Sequence, residues 1–97
     1  MMYGETFYRP CLDGQVFYYV KVINGIYDIE VKGYTQDGFD AFIYRDDCML
    51  GSGAANNPFN ALNDAMSDFE YECGINKHIR TTYKKAREQL EYLESIA

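Results

Sequence analysis

The chain has 97 residues, of which 47% are hydrophobic and 25% charged, a composition that is typical of a folded domain and excludes a disordered chain. Nine basic against fifteen acidic residues give a net charge of −6, which repels nucleic acid at long range and favours a basic partner. No stretch reaches the roughly 18 apolar residues of a membrane span. The opening letters MMYGETFYRP also lack the segments of a signal peptide. We therefore expect a single cytoplasmic domain over 1–97, with no membrane partner.

The first predicted element is a short strand at residues 5–9, ETFYR. It ends at Pro10, and a proline is tolerated in a sheet only where its missing N–H faces outward. The pattern therefore predicts an edge strand, and it leaves the register of that strand open.

Residues 15–34 predict a hairpin around Asn24-Gly25, the pair typical of a two-residue type I′ turn. The predicted strands run over about 16–23 and 26–34. They are rich in aromatic and β-branched residues on both faces, whereas a sheet with one solvated face alternates apolar and polar residues.

A two-residue turn also predicts the pairing of these strands. It sets Lys21 opposite Asp28 and Tyr19 opposite Glu30, so that complementary groups face each other across the strands. Because both faces are apolar or aromatic, we expect one face to meet helices and the other to need a different cover.

A second turn signal, Asp37-Gly38, predicts another two-residue loop and a third strand at 39–45. This register places Phe42 on the face that meets the helices and Ile43 on the opposite face. A tight turn at Asp46-Asp47 then predicts a short fourth strand, CMLGSG, over 48–53. We interpret its G-x-G as close backbone packing between strand and helix.

Two helices follow. Asn56 or Asn57 is expected to cap the first helix, Pro58 suits its first position, and Gly74 is expected to end it. Asn76 is expected to cap the second.

The chain therefore predicts a two-layer α+β domain. An antiparallel meander of three to five strands over 1–53 precedes two C-terminal helices over 57–97, paired as an antiparallel helical hairpin.

The uncovered sheet face is the predicted protein-binding site, because exposed apolar patches on small proteins mark interfaces and tyrosine is enriched there. Its predicted residues are the apolar and aromatic Phe17, Tyr19, Tyr34 and Ile43, with the carboxylates Asp28, Glu30, Asp37 and Asp40. We expect a basic or nucleic-acid-binding protein as the partner, or a second copy of the chain.

A cluster of five cations without an acidic residue lies in the range 77–87. These residues are Lys77, Arg80, Lys84, Lys85 and Arg87. We favour a charge match with the acidic end of the first helix, which would offset unfavourable helix-dipole interactions of both clusters. The alternative is a basic contact for phosphate.

No catalytic, metal-ligating or cofactor-binding residues are predicted, so the chain is not expected to be an enzyme. His78 is the single histidine, and no nucleophile, base and orienting group can be placed together. We interpret the carboxylates near the turns as turn formers. The three cysteines, Cys11, Cys48 and Cys73, show no C-x-x-C spacing and are expected to be small buried hydrophobic residues in a reducing compartment.

The run FDAFIYRDDCMLGSGAANNPFNALNDAM, residues 39–66, resembles the strand, G-x-G and capped helix of double-stranded RNA-binding domains and HicB-type antitoxins. It has Asn56, Asn57 and Pro58 where the RNA-binding lysines of the first family would be. In size, acidity and tyrosine content the chain resembles phage-encoded inhibitors of the anti-CRISPR type. That resemblance implies a protein of the host cytoplasm that offers carboxylates to surfaces that normally bind nucleic acid.

These observations favour a small acidic protein-binding module, an inhibitor that occludes a nucleic-acid-binding complex of bacterial, CRISPR-type defence. One alternative is a nucleic-acid-binding regulator that uses residues 77–87, although the net charge makes nucleic acid the less favoured partner. A second alternative is a homodimeric structural or interaction protein.

Overall fold

The computed structural model describes residues 3–96, so residues 1, 2 and 97 of the predicted domain lie outside it. Five strands form one antiparallel sheet in the order β1-β2-β3-β4-β5, followed by two helices. The elements are β1 Tyr3–Pro10, β2 Val16–Ile23, β3 Asp28–Tyr34, β4 Gly38–Arg45, β5 Cys48–Ala55, α1 Pro58–Cys73 and α2 Lys77–Ile96. The predicted α+β meander with two C-terminal helices is confirmed, and β1 is an edge strand that pairs with β2.

Both helices lie on the same face of the sheet. Helix α1 packs on β4 and β5, and α2 packs across β1, β2 and β3. The core between the layers is built from apolar side chains of alternate strand positions and of one side of each helix. Its fully buried members include Val20, Val31, Ile29, Ile43, Leu62, Phe69, Ile79, Leu90 and Leu93. No helix within residues 3–96 is long and apolar enough to cross a membrane.

The predicted close packing at the G-x-G of β5 is confirmed. A Cβ atom on Gly51 would lie 2.7 Å from the Ala65 carbonyl oxygen, and one on Gly53 would lie 2.4 Å from the Ala61 carbonyl oxygen. Only glycine lets the backbones of β5 and α1 approach this closely.

The helix ends also agree with the prediction. The Asn57 side chain accepts a hydrogen bond from the Asn60 N–H at 2.9 Å, and the Asn76 side chain accepts one from the Ile79 N–H at 3.0 Å. Gly74 follows α1 with a φ of 73°, and its N–H bonds back to the helix. At each of these three ends, a residue next to the helix in the sequence thereby supplies a hydrogen bond to the backbone of the helix.

The β2–β3 connection is longer than predicted. Lys21 lies opposite Glu30, so the loop contains four residues, 24–27. A type I′ turn needs positive φ at both central residues, and in this pair only Gly25 has it. The side-chain oxygen of Asn24 instead accepts hydrogen bonds from two N–H groups within the loop, at 2.9 and 2.7 Å. The register shifts by two residues, which leaves the strand side chains on their predicted faces.

The β3–β4 connection is also longer, with a different consequence. Lys32 lies opposite Asp40, which leaves a three-residue loop, 35–37. Gly38 closes it with a φ of 107°, while Asp37 has no positive φ. The predicted two-residue loop is therefore wrong, and the register slips by an odd number of residues, which exchanges the two faces of β4.

The exchange overturns one predicted site residue. Ile43 pairs with Ile29 inside the core and is 0% exposed, so its assignment to the binding face is wrong. Phe42, expected in the core, lies on the opposite face and is half-buried. The tight turn predicted at Asp46-Asp47 is confirmed, since both residues have positive φ, as a type I′ turn requires.

The cysteines do not behave as predicted. Cys48 and Cys73 are exposed and Cys11 is half-buried, and all three are free thiols. Cys48 begins β5 directly after a turn, and Cys73 ends α1, so both lie at element ends rather than over the core.

Candidate protein-binding face

The face of the sheet opposite the helices carries the candidate site. We call it the open face, because the helices of residues 3–96 pack only on the other side. Strand alternation assigns its side chains, which form rows across the five strands. On β1 to β4 the open face includes Glu5, Phe7, Arg9, Phe17, Tyr19, Lys21, Ile23, Asp28, Glu30, Lys32, Tyr34, Asp40, Phe42 and Tyr44, and on β5 it includes Ser52 and Ala54.

Four aromatic rings form a continuous cluster across β1, β2 and β3. The ring of Phe7 lies 5.2 Å from that of Tyr19 and 6.1 Å from that of Phe17, which in turn lies 4.9 Å from Tyr34. Two of these residues are partly exposed to solvent: Phe7 is 37% exposed and Tyr34 is 41% exposed. Arg9 lies over the rings of Phe7 and Phe17, with its guanidinium carbon 5.9 and 5.8 Å from the ring centres.

The centre of the open face is a polar network around Glu30. Its carboxylate accepts a hydrogen bond from the Tyr19 hydroxyl at 2.9 Å and lies 3.4 Å from the Lys32 ammonium. Desolvation, then the hydrogen bond and the negative charge of Glu30, raise the pKa of Tyr19 to about 12, with a smaller effect of Glu5. Tyr19 therefore stays a neutral hydrogen-bond donor well above neutral pH. Its hydrogen bond to Glu30 orients the ring.

A second aromatic pair extends the open face over β4. The rings of Phe42 and Tyr44 lie 6.2 Å apart, and the Lys32 ammonium lies 6.0 Å from the centre of the Phe42 ring. Lys32 is thus drawn towards Glu30 and Phe42. No ion pair within 4.0 Å joins it to Asp40, the residue opposite it on β4.

At one end of the open face lies a groove of about 580 Å³, which we call the Tyr34 groove. Gly38 lies opposite Tyr34, and Ala54 lies opposite Asp40, so the floor carries small residues where the neighbouring rows carry rings and long side chains. The walls of the groove include Phe17, Lys32, Tyr34, Asp37 and Asp40.

The structure brings most of the predicted site residues together. Six lie on the open face and one in the loop beside the Tyr34 groove, while only Ile43 is elsewhere. The six are Phe17, Tyr19, Asp28, Glu30, Tyr34 and Asp40, and the loop residue is Asp37. Phe7 and Arg9 were not predicted for this face, because the register of β1 was open. Phe42 and Tyr44 were not predicted either, because the predicted β3–β4 loop was wrong. The alternation Glu5, Phe7, Arg9 was the available signal for β1.

All five predicted basic residues of α2 are exposed. Four of them recur at steps of three and four along the helix, so they share one side of it. We call Lys77, Arg80, Lys84 and Arg87 the basic stripe.

The predicted charge match does not form at ion-pair distance. Within the described part of the chain, no carboxylate of the acidic end of α1 lies within 4.0 Å of a cation of α2. Asp68 accepts a hydrogen bond from the Ser52 N–H at 3.0 Å. The direct pairing is therefore wrong, and the basic stripe faces solvent.

His78 is exposed, and its backbone carbonyl accepts hydrogen bonds from the Asn24 amide and the Thr82 hydroxyl. No three His, Cys, Asp or Glu side chains of the described residues are grouped to hold a metal ion.

No protein-family model, curated protein or solved structure matches this chain. The functional interpretation therefore comes from the open face and the basic stripe.

Proposed function

We propose that the protein is a binding module whose open face docks a basic protein. The observation that carries the proposal is the continuous aromatic cluster of Phe7, Phe17, Tyr19 and Tyr34, which is partly exposed on a face that neither helix covers. Aromatic rings supply much of the binding energy of protein interfaces, because they bury large areas at low cost in conformational entropy.

The charge of the surroundings supports a basic partner. Glu5, Asp28, Asp37 and Asp40 lie on or beside the open face, and the whole chain carries −6. Two of the cations of the face, Arg9 and Lys32, lie over rings or beside Glu30, and Lys21 lies between Glu5 and Glu30 in the strand register. Such a field accelerates encounter with a positive surface and disfavours phosphate.

We further propose that the partner is a nucleic-acid-binding protein of bacterial, CRISPR-type defence, and that docking occludes its nucleic-acid-binding site. Proteins that bind nucleic acid expose clustered lysine and arginine, which is the surface that an aromatic and acidic face complements. The resemblance to phage-encoded inhibitors in size, acidity and tyrosine content supports the same class, and it implies action in the host cytoplasm.

The experiment compares two variants in a pull-down from nuclease-treated bacterial lysate that expresses candidate defence complexes. Phe7→Ser with Tyr34→Ser removes the two exposed rings of the open face. Tyr71→Ser with Tyr92→Ser removes two exposed rings of the helix layer, which are 88% and 55% exposed, and is the matched control. We expect the wild type and the control to retain one basic protein in stoichiometric amount, and the open-face variant to lose it.

Two results would contradict the proposal. One is a partner that the open-face variant retains as well as the wild type does. The other is a solution mass, from light scattering, of twice the chain mass that falls to one chain in the open-face variant, because the open face would then bind a second copy.

A second candidate function rests on the basic stripe. Four exposed cations span about 15 Å of α2 at 1.5 Å per residue, and none of them has a carboxylate within 4.0 Å among the described residues. A nucleic acid bound there would give an affinity that falls steeply with salt.

Two charge reversals separate the two functions. Arg80→Glu with Lys84→Glu should remove binding of a labelled oligonucleotide, whereas Arg9→Glu with Lys32→Glu, the same change in charge on the open face, should retain it. Oligonucleotide binding that is absent in the wild type at low salt would exclude this candidate.

A further inference from the structure

The Tyr34 groove has the shape and the chemistry of a side-chain pocket. Its volume of about 580 Å³ falls within the range of roughly 300–1,000 Å³ that ligand sites occupy. The groove exists because Gly38 and Ala54 place no large side chain between the Tyr34 ring and Asp40. It is therefore a feature of the fold rather than of one rotamer.

The two carboxylates of the groove have no cation partner. Within residues 3–96, neither Asp37 nor Asp40 lies within 4.0 Å of a lysine, arginine or histidine nitrogen. Lys32 is the nearest cation by strand pairing, and its ammonium lies 3.4 Å from Glu30 instead. Lys32 also lines the groove, so two carboxylates and one cation leave a net charge of −1 beside the ring of Tyr34, which is 41% exposed.

We propose that the Tyr34 groove takes an arginine side chain of the basic partner. This inference rests on the proposed function, because it names the group by which the open face recognises that partner. The guanidinium stacks on the Tyr34 ring and donates hydrogen bonds to the carboxylates of Asp37 and Asp40.

An arginine side chain fits this groove better than a lysine side chain does. Its planar guanidinium stacks on an aromatic face and offers five N–H donors to carboxylates, whereas a lysine ammonium is a strongly hydrated point charge. Stacking over a ring adds a favourable cation–π interaction. The groove supplies both features, since Tyr34, Asp37 and Asp40 all line it.

The test titrates the intact chain with three short blocked peptides, Ac-Gly-Arg-Gly-NH₂ and its lysine and citrulline counterparts, and follows backbone amide shifts by NMR. Citrulline keeps the shape of arginine without its charge. We expect saturable shifts around Tyr34, Asp37 and Gly38 with the arginine peptide, and binding at least about tenfold weaker with citrulline, because the charge-assisted hydrogen bonds are lost. Lysine should fall between the two.

Two isosteric variants complete the test. Asp37→Asn with Asp40→Asn removes both negative charges of the groove. Asp46→Asn with Asp47→Asn makes the same charge change in the β4–β5 turn, at positions with positive φ that asparagine tolerates. We expect the first variant to weaken arginine-peptide binding by about tenfold or more and the second to change it by less than about twofold.

The inference is overturned if the arginine peptide gives no saturable shifts, if citrulline binds equally well, or if the shifts lie away from the groove. The pull-down separates this failure from failure of the proposed function. A partner that is lost by Phe7→Ser with Tyr34→Ser but retained by Asp37→Asn with Asp40→Asn leaves the open face as the docking surface and refutes the arginine pocket alone. A partner retained by both variants refutes the proposed function.

Discussion

The side-chain amide of Asn24, in the β2–β3 loop, donates a hydrogen bond to the hydroxyl of Thr82, 58 residues away on the buried side of α2. The same amide donates to the His78 carbonyl at 3.1 Å, and the Asn24 oxygen accepts the two N–H groups of its own loop. One side chain thus joins the loop of the hairpin to the helix layer.

This junction predicts that substitutions of Asn24 and Thr82 have non-additive effects on the free energy of unfolding. Asn24→Ala should lower the free energy of unfolding by about 1–3 kcal/mol, because partly buried polar groups lose their partners. A double-mutant cycle with Thr82→Val should give a coupling energy of about 1 kcal/mol in urea unfolding. Thr81→Val is the control. It removes the exposed hydroxyl of the preceding residue and should show no coupling to Asn24. Additive effects of Asn24→Ala and Thr82→Val would contradict the structure.

The close contact of β5 with α1 predicts that substitutions at neighbouring residues of β5 differ strongly in their effect on stability. Gly51→Ala or Gly53→Ala forces a Cβ against a helix carbonyl oxygen, so either should destabilise the protein by about 1–3 kcal/mol or more. Ser52→Ala changes an exposed residue between them and should stay within about 0.5 kcal/mol. Thermal unfolding measures all three. Equal melting temperatures for the glycine and serine variants would show that the strand and the helix are not in such close contact.

The register of β4 predicts opposite roles for two adjacent residues. Ile43→Ala should cost about 2–5 kcal/mol of stability, because it leaves a cavity in a fully buried site. Phe42→Ala should cost much less, because that half-buried ring lies on the open face. Denaturant titration of the two variants decides between this register and one shifted by a single residue, in which the order of the two effects would be reversed.

The hydrogen bond from Tyr19 to Glu30 predicts a pH dependence. The folded-state pKa of Tyr19 is raised to about 12, whereas an unfolded tyrosine titrates near about 10. The stabilisation is therefore fully present below pH about 10 and is lost as the pH rises towards 12. Tyr19→Phe should be less stable than the wild type by about 1 kcal/mol at neutral pH, and the difference should shrink over that alkaline range.

Tyr92→Phe is the control for this prediction, since Tyr92 is exposed on α2, and it should stay within about 0.5 kcal/mol of the wild type. A wild type and a Tyr19→Phe variant that differ by the same amount at pH 8 and pH 11.5 would contradict it.

The local signals of the sequence were sufficient for the order of the elements and for the residues that cap the helices. Asn57 and Asn76 cap helices through bonds to residues three positions away, and the G-x-G of β5 marks close backbone contact in any such strand. Each of these depends on a few neighbouring residues, so each can be predicted from them.

Register could not be predicted in the same way. Asn24-Gly25 is the residue pair typical of a type I′ turn. Asn24 instead forms hydrogen bonds to α2, and sequence spacing does not reveal that contact. In β4, a loop longer by one residue moves Ile43 into the core and Phe42 out of it. The pairing of β1, which brings Phe7 and Arg9 to the aromatic cluster, is likewise set by tertiary contacts. The aromatic character of the site was predictable, and its full membership was not.

The central claim is that the open face binds the partner, and the most direct measurement compares the Kd of the purified partner for Tyr34→Ala and Tyr92→Ala by calorimetry. Both replace an exposed tyrosine, 41% and 55% exposed respectively, on opposite layers of the molecule. We expect Tyr34→Ala to weaken binding by about thirtyfold, as loss of an interface hot spot of about 2 kcal/mol does, and Tyr92→Ala to leave the Kd within about twofold. Equal Kd values for Tyr34→Ala and the wild type, or a loss confined to Tyr92→Ala, would contradict the account.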